Sequence, residues 1–246
     1  GGFTRAGENA VNYVARWNGT SWVALGSGMR YVVSALAVSG SVLYAGGPFV
    51  PIPNGSSTTN LAQWDGSSWT ALSSGVDNSV SVLATSGSDF FIGGDFMRAT
   101  NAGGIAIPVN RIAKWNSNGW STVGWSGSGS GINWPVYALA ALGNDLYAGG
   151  SFWSAGGTLA NFIAKWDGNS WSSPSSGMNS SVLAFAPSMN DLYAGGVFTT
   201  AGGSPALRIA KWDGSNWSAL GSGMNNTVRA LAMSEADLYA GGDFTT

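Results

Sequence analysis

The chain has 246 residues, enough for one large all-β domain or two small ones, with 38 glycines, only 9% charged residues and a net charge of −2, which offers no field for nucleic acid or anionic lipid. It has no cysteine and no histidine, which excludes disulfides, thiolate chemistry, thiolate-held metal and the usual imidazole base or ligand. No apolar run approaches the ~20 residues of a membrane span.

Gly1 falls in mid-repeat, with neither an initiator Met nor a signal-peptide pattern, so a mature or excised piece of something longer is expected. A Phe just after Gly-Gly then recurs at Phe3, Phe49, Phe96, Phe152, Phe198 and Phe244, in steps of 46, 47, 56, 46 and 46. Six marks bound five repeats. Trp pairs five residues apart keep the same count: Trp17/Trp22, Trp64/Trp69, Trp115/Trp120, Trp166/Trp171 and Trp212/Trp217.

Four short strands are predicted per repeat. The first is a small apolar run such as Val182-Leu-Ala184, without the alternation of a half-exposed strand, and is expected to be buried on both faces. The second is Leu-Tyr-Ala-Gly-Gly, at 192–196 for example, whose glycines suggest that backbone or a bulky ring comes too close for a Cβ. The third and fourth, Ile-Ala-Lys-Trp and Trp-Ser-Ala-Leu, are joined by hairpin turns placed at Asn18, Asp65, Asn118, Asp167 and Asp213. Pairing Trp64 with Trp69 puts Ala62 opposite Ala71, and the Trp pairs read as packing between sheets. Asp residues before the second strand share a phase with Lys114, Lys165, Lys211 and Arg16, which predicts ion pairs.

Repeats of ~40–50 residues with four strands each suggest a β-propeller. The order of Gly149-Gly150, Trp166-Asp167 and Trp171 resembles kelch-type propellers, although Trp stands where kelch repeats usually have Tyr. It also looks like the Gly-Gly-x-Phe-Thr and Ala-Lys-Trp-Asp-Gly repeats of large bacterial surface proteins. The expected fold is all-β: one five-bladed propeller over residues 1–246, four antiparallel strands per blade. Blade repeats fall near 30–76, 77–131, 132–178 and 179–224, and 225–246 joins 1–29 to close the ring.

Such a fold sorts its loops onto two faces. One is uniform; the other holds the departures at 50–60, 97–110 and 125–135, where binding is expected. Candidate ligand contacts are Trp125, Trp134 and Trp153, with Met97 and Arg98 in phase nearby. No catalytic residue, metal ligand or cofactor is assigned. The first strands hold no carboxylate, and only Asp95 and Asp243 recur on the variable face. The function expected first is a non-enzymatic extracellular or cell-surface binding or scaffold module, part of a larger surface, filament or adhesive protein. It would take a protein or glycan partner, with further copies or flanking domains possible and neither nucleic acid nor membrane insertion. A lectin using the loop Trp residues comes second and a propeller glycoside hydrolase third. The sequons at Asn18, Asn54, Asn179, Asn216 and Asn225 are expected by chance in so Asn- and Ser-rich a chain.

Overall fold

The computed structural model describes residues 1–49, 60–87, 89–116, 118–124 and 131–245. The chain divides into two units, Gly1–Ser121 and Thr122–Thr246. The first holds a hairpin of Ala15–Trp17 with Trp22–Ala24, then a sheet of Ala35–Ser39, Val42–Gly46, Leu61–Trp64 and Trp69–Ala71. A second sheet follows, built from Val80–Ser86, Asp89–Gly94, Ile112–Asn116 and Gly119–Thr122. The second unit repeats the plan with Val136–Leu142, Asp145–Gly150, Ile163–Trp166 and Trp171–Ser172, then Val182–Pro187, Leu192–Gly196, Ile209–Trp212 and Trp217–Ala219. It ends in a hairpin of Val228–Ser234 with Asp237–Gly242. In each four-stranded sheet the strands lie in chain order and pair antiparallel, as in a propeller blade.

The predicted register is the observed one, with Trp64 opposite Trp69 and Ala62 opposite Ala71. Each turn is built by an acceptor side chain after the first Trp: Asp65 Oδ1 accepts from the Ser67 and Ser68 N–H groups, both at 2.8 Å. In the second sheet that residue is Asn116, which accepts from Asn118 N–H at 2.9 Å. The turn placed at Asn118 is therefore corrected to Asn116, because what the turn requires is an acceptor at its first residue.

Those Ser68 and Ser67 donors hold the Asp65 carboxyl at about 2, below its ordinary 3.8. Asp167 and Asp213 are likewise lowered, by the N–H groups of Ser170 and Asn169 and of Asn216 and Ser215. A carboxyl depressed in the fold contributes stability that is present above the unfolded value and lost as pH falls through the folded one. Thermal stability should therefore decline from pH 3.8 toward pH 2. Asn keeps the acceptor without titrating, so the triple variant Asp65→Asn, Asp167→Asn, Asp213→Asn should flatten that decline. An unchanged acid limb would contradict the assignment.

The glycines behave as their sequence suggests. A Cβ on Gly195 would lie 2.5 Å from Val228 Cγ1 of the next repeat, and one on Gly149 would lie 2.7 Å from Val182 Cγ1. The second glycines, Gly150 and Gly196, face the backbone carbonyls of Pro135 and Ser181. First strands thus nest directly on the preceding sheet. They are not buried on both faces throughout, however: Val182, Ala184 and Ala186 are buried while Leu183 and Phe185 are half-buried. The reason is that the first strand is a sheet edge with one hydrogen-bonded neighbour. Only Ala138–Ala140 forms a continuous buried run on this strand.

The second Trp of a pair links neighbouring repeats. Trp69 Nε1 donates to Leu25 O at 2.8 Å, Trp171 Nε1 to Val123 O at 3.0 Å and Trp217 Nε1 to Pro174 O at 3.1 Å. Trp120 holds the same position, but its buried Nε1 has no acceptor among the described residues. Replacing Trp171 by Phe keeps most of the ring and leaves the Val123 carbonyl unpaired, so thermal unfolding should register a loss of about 1–2 kcal/mol. The corresponding Trp120→Phe loss should be smaller.

Three of the predicted ion pairs form: Lys114 with Asp89 at 3.4 Å, Lys165 with Asp145 at 3.0 Å and Lys211 with Asp191 at 3.2 Å. Arg16 forms none among the described residues. The first sheet has Val42 and Gln63 in these two places, so the charges are lost together there.

Candidate binding face

Between the second and third strands, among the described residues, repeats insert a small hairpin that the sequence reading missed, for example Ser154–Ala155 with Thr158–Leu159 and Thr200–Ala201 with Ser204–Pro205. The segment 97–110, taken above as an irregular loop, is the same device, with Arg98–Thr100 paired to Ala106–Pro108. A side chain some twenty residues earlier pins it. Asn133 Oδ1 accepts from Trp153 and Ser154 N–H at 3.2 and 3.1 Å, Asp77 Oδ1 from Met97 and Arg98 at 2.8 and 3.0 Å, and Asn179 Oδ1 from Thr199 and Thr200 at 2.8 and 3.0 Å. This was legible in principle, since Asp77, Asn133, Asn179 and Asn225 each directly follow a Val, Ile or Met. Two of the sequon asparagines, Asn179 and Asn225, use their side chains in this way.

The hairpin leaves through a left-handed residue four before the first Trp: Tyr13, Asn60, Arg111, Phe162 and Arg208 all have φ between 63° and 75°. Each donates its N–H to the carbonyl of the repeat's Phe, as Phe162 does to Phe152 at 2.7 Å. Nothing in the side chains announces this, because five residue types fill one backbone role.

At the mouth of the first strand a β-bulge lies opposite the Gly-Gly, between Val136 and Ala138, Val182 and Ala184, and Val228 and Ala230. A bulge re-aims the extra side chain. The bulged residue is Tyr137 in one repeat, Leu183 in the next and Arg229 in the last. Its companion just after Gly-Gly changes with it. Ser151 Oγ donates to Tyr137 Oη at 3.4 Å, whereas Arg229 grips Asp243 with two bonds of 2.8 and 2.6 Å. That arginine lowers the Asp243 carboxyl.

Against this frame the predicted contacts separate. Trp134 and Trp153 come together, their ring centroids 5.7 Å apart and their planes at 39°, each about half exposed at 49% and 51%. Tyr137, at 37%, stands three residues beyond Trp134 at the same end of the ladder. Met97 and Arg98 are exposed at the corresponding hairpin of the first unit. Trp125 lies outside the described residues, as does most of the predicted loop at 50–60. Asp95, which stands in phase with Asp243 in the first unit, pairs with Arg111 at 3.5 Å. A glycoside hydrolase needs two carboxyl groups across one bond; here Asp95 and Asp243 each face an arginine. No cluster of three metal-ligating side chains occurs among the described residues.

Comparison with solved structures agrees with this architecture. YjhT is similar at a TM-score of 0.52 with 14% identity, over 84% of this chain and 71% of its own. These neighbours are β-propeller-like, and so is the fold of this chain. An extracellular domain of a hybrid two-component system from B. thetaiotaomicron gives 0.56 with 13% identity, over 93% of this chain but 28% of that one. A chain of the nidogen/laminin complex gives 0.54 with 13%, over 85% and 71%. No protein-family model and no curated protein matches. Among the described residues no helix is long and apolar enough to cross a membrane.

Proposed function

We propose that this chain is a non-enzymatic binding or scaffold module of an extracellular or cell-surface protein, presenting one variable face on an otherwise repeated frame. The observation that carries this reading is the bulge pair. Strands, turns, glycines and Trp latches recur with little change, while the two positions at the ladder mouth switch from Tyr137/Ser151 to Leu183/Val197 to Arg229/Asp243. Variation concentrated on one face of a rigid frame is the pattern of a recognition surface. Extracellular domains among the structural neighbours favour the location. Protease treatment of intact producing cells should release fragments of this chain; a chain cleaved only after lysis would overturn the placement.

The frame is a single five-bladed propeller in this reading, with strand 237–242 pairing to strand 15–17. Three features support it. Asp237 and Arg16 stand at the repeat positions of Asp191 and Lys211, which pair elsewhere. Trp22 stands where Trp217 donates to the preceding repeat's carbonyl. A Cβ on Gly241 would meet nothing within 4 Å, and Leu36, the residue in phase with Leu231, is exposed. By the register of Ala194 with Ala210, Ala240 should oppose Ala15. Since the chain has no cysteine, the double variant Ala15→Cys, Ala240→Cys should form one disulfide within a monomer. Free thiols or disulfide-linked dimers would refute closure.

A further inference from the structure

The Trp134–Trp153 pair is the part of the variable face with the most definite chemistry. Neither indole is a core residue: both are about half exposed, whereas Trp69, Trp120, Trp171 and Trp217 of the repeat frame are buried. Their placement is nonetheless fixed. Asn133 holds the Trp153 backbone, and the Ser151 N–H donates to Pro135 O at 3.1 Å, tying the residue that follows Trp134 to the strand end that leads into Trp153. Two rings are thus presented on a prebuilt platform, and at the same end of the ladder the Tyr137 and Ser151 hydroxyls bond each other.

The stretch of chain that carries the pair is nearly free of charge. Between Lys114 and Lys165 the only ionisable acid or base is Asp145. It starts the strand that Ser151 follows, about 20 Å away along extended backbone, and is bound to Lys165. A nucleic acid would need cations for its phosphates, and protein hot spots combine Trp and Tyr with Arg. On this stretch of chain the aromatics are accompanied by hydroxyls and not by Arg or Lys. A pyranose ring matches both, with an apolar C–H face for the indole and equatorial hydroxyls for the Tyr and Ser oxygens.

We infer that Trp134 and Trp153, with Tyr137 and Ser151 at the same end of the ladder, bind an uncharged sugar ring of a neutral glycan. This rests on reading the chain as a binding module and adds the ligand class. Calorimetric titration of the whole chain with cellohexaose, xylohexaose and mannohexaose, against a hyaluronan hexasaccharide as the acidic control, tests it. At least one neutral hexasaccharide should bind with Kd below about 1 mM, and more tightly than hyaluronan. Trp134→Ala and Trp153→Ala should each weaken that binding about tenfold or more. Tyr137→Phe should weaken it severalfold without altering thermal unfolding, and Met189→Ala, a substitution at a 93% exposed turn residue, should leave it unchanged. Absence of binding by every neutral hexasaccharide at ~10 mM, tighter binding of hyaluronan, or binding that survives the double Trp variant would overturn the site. A chain reached by protease on intact cells that binds no neutral glycan would sink the sugar site alone. A chain confined inside cells would sink the module reading instead, whatever the titrations show.

Discussion

Gly196→Ala should lower stability by about 3 kcal/mol or more, measured as a fall in the urea midpoint at unchanged slope. The new methyl would be driven onto the Ser181 carbonyl oxygen and to 3.0 Å from Val182 Cα, both backbone. Neither can move freely, because Ser181 O also accepts from Val197 N–H at 2.9 Å and Val182 is paired with Gly196 in the ladder. Relief would mean parting the first two strands of the sheet. Met189→Ala, at a 93% exposed turn residue, provides the control. It should change stability by less than about 0.5 kcal/mol. A Gly196→Ala variant within about 1 kcal/mol of the parent would show that the strands yield more readily than a close-packed interior should.

Phe198→Ala should cost about 3–5 kcal/mol. Its ring is fully buried, in a cluster with Ile163, Val182, Leu192, Ala201 and Trp217, so the deletion leaves a cavity lined by two sheets and the inserted hairpin. Phe49, Phe96 and Phe152 hold the same position with the same burial. Phe3 does not: 39% of it is exposed, and Phe3→Ala should cost about 1 kcal/mol or less. Equal losses at Phe3 and Phe198 would show that the N-terminal copy is packed as tightly as the interior ones.

The two predictions also mark what could be read from the chain and what could not. Phe, Gly-Gly and the Trp pair recur because each must fit a neighbouring repeat, and a steric requirement leaves its residue type behind at every copy. Strand order, hairpin register and the Asp–Lys pairs followed from that. The left-handed residue was hidden because its task is done by N–H and C=O groups, which Tyr13, Asn60, Arg111, Phe162 and Arg208 supply alike. The bulge was hidden for the same reason, since Tyr137, Leu183 and Arg229 share a backbone shape and no chemistry. At the candidate site, Trp134 and Trp153 were singled out individually. Their meeting depends on the Asn133 clamp and on a hairpin only two residues long on each side, below the length at which alternation can be recognised.

The indole latches have a direction, and it sets how the molecule comes apart. In the second unit Trp171 donates backward to Val123, and Pro174, three residues on, accepts from Trp217. These two joints are fastened through residues beside one another, so the bonds lie in series. Cooperativity then resides in the joints between repeats more than within any one sheet, as in a nearest-neighbour chain. Releasing Trp217 parts two sheets without disturbing Trp171, whereas releasing Trp171 loosens the strand end that carries the next acceptor. Loss of structure within this unit thereby proceeds one joint at a time.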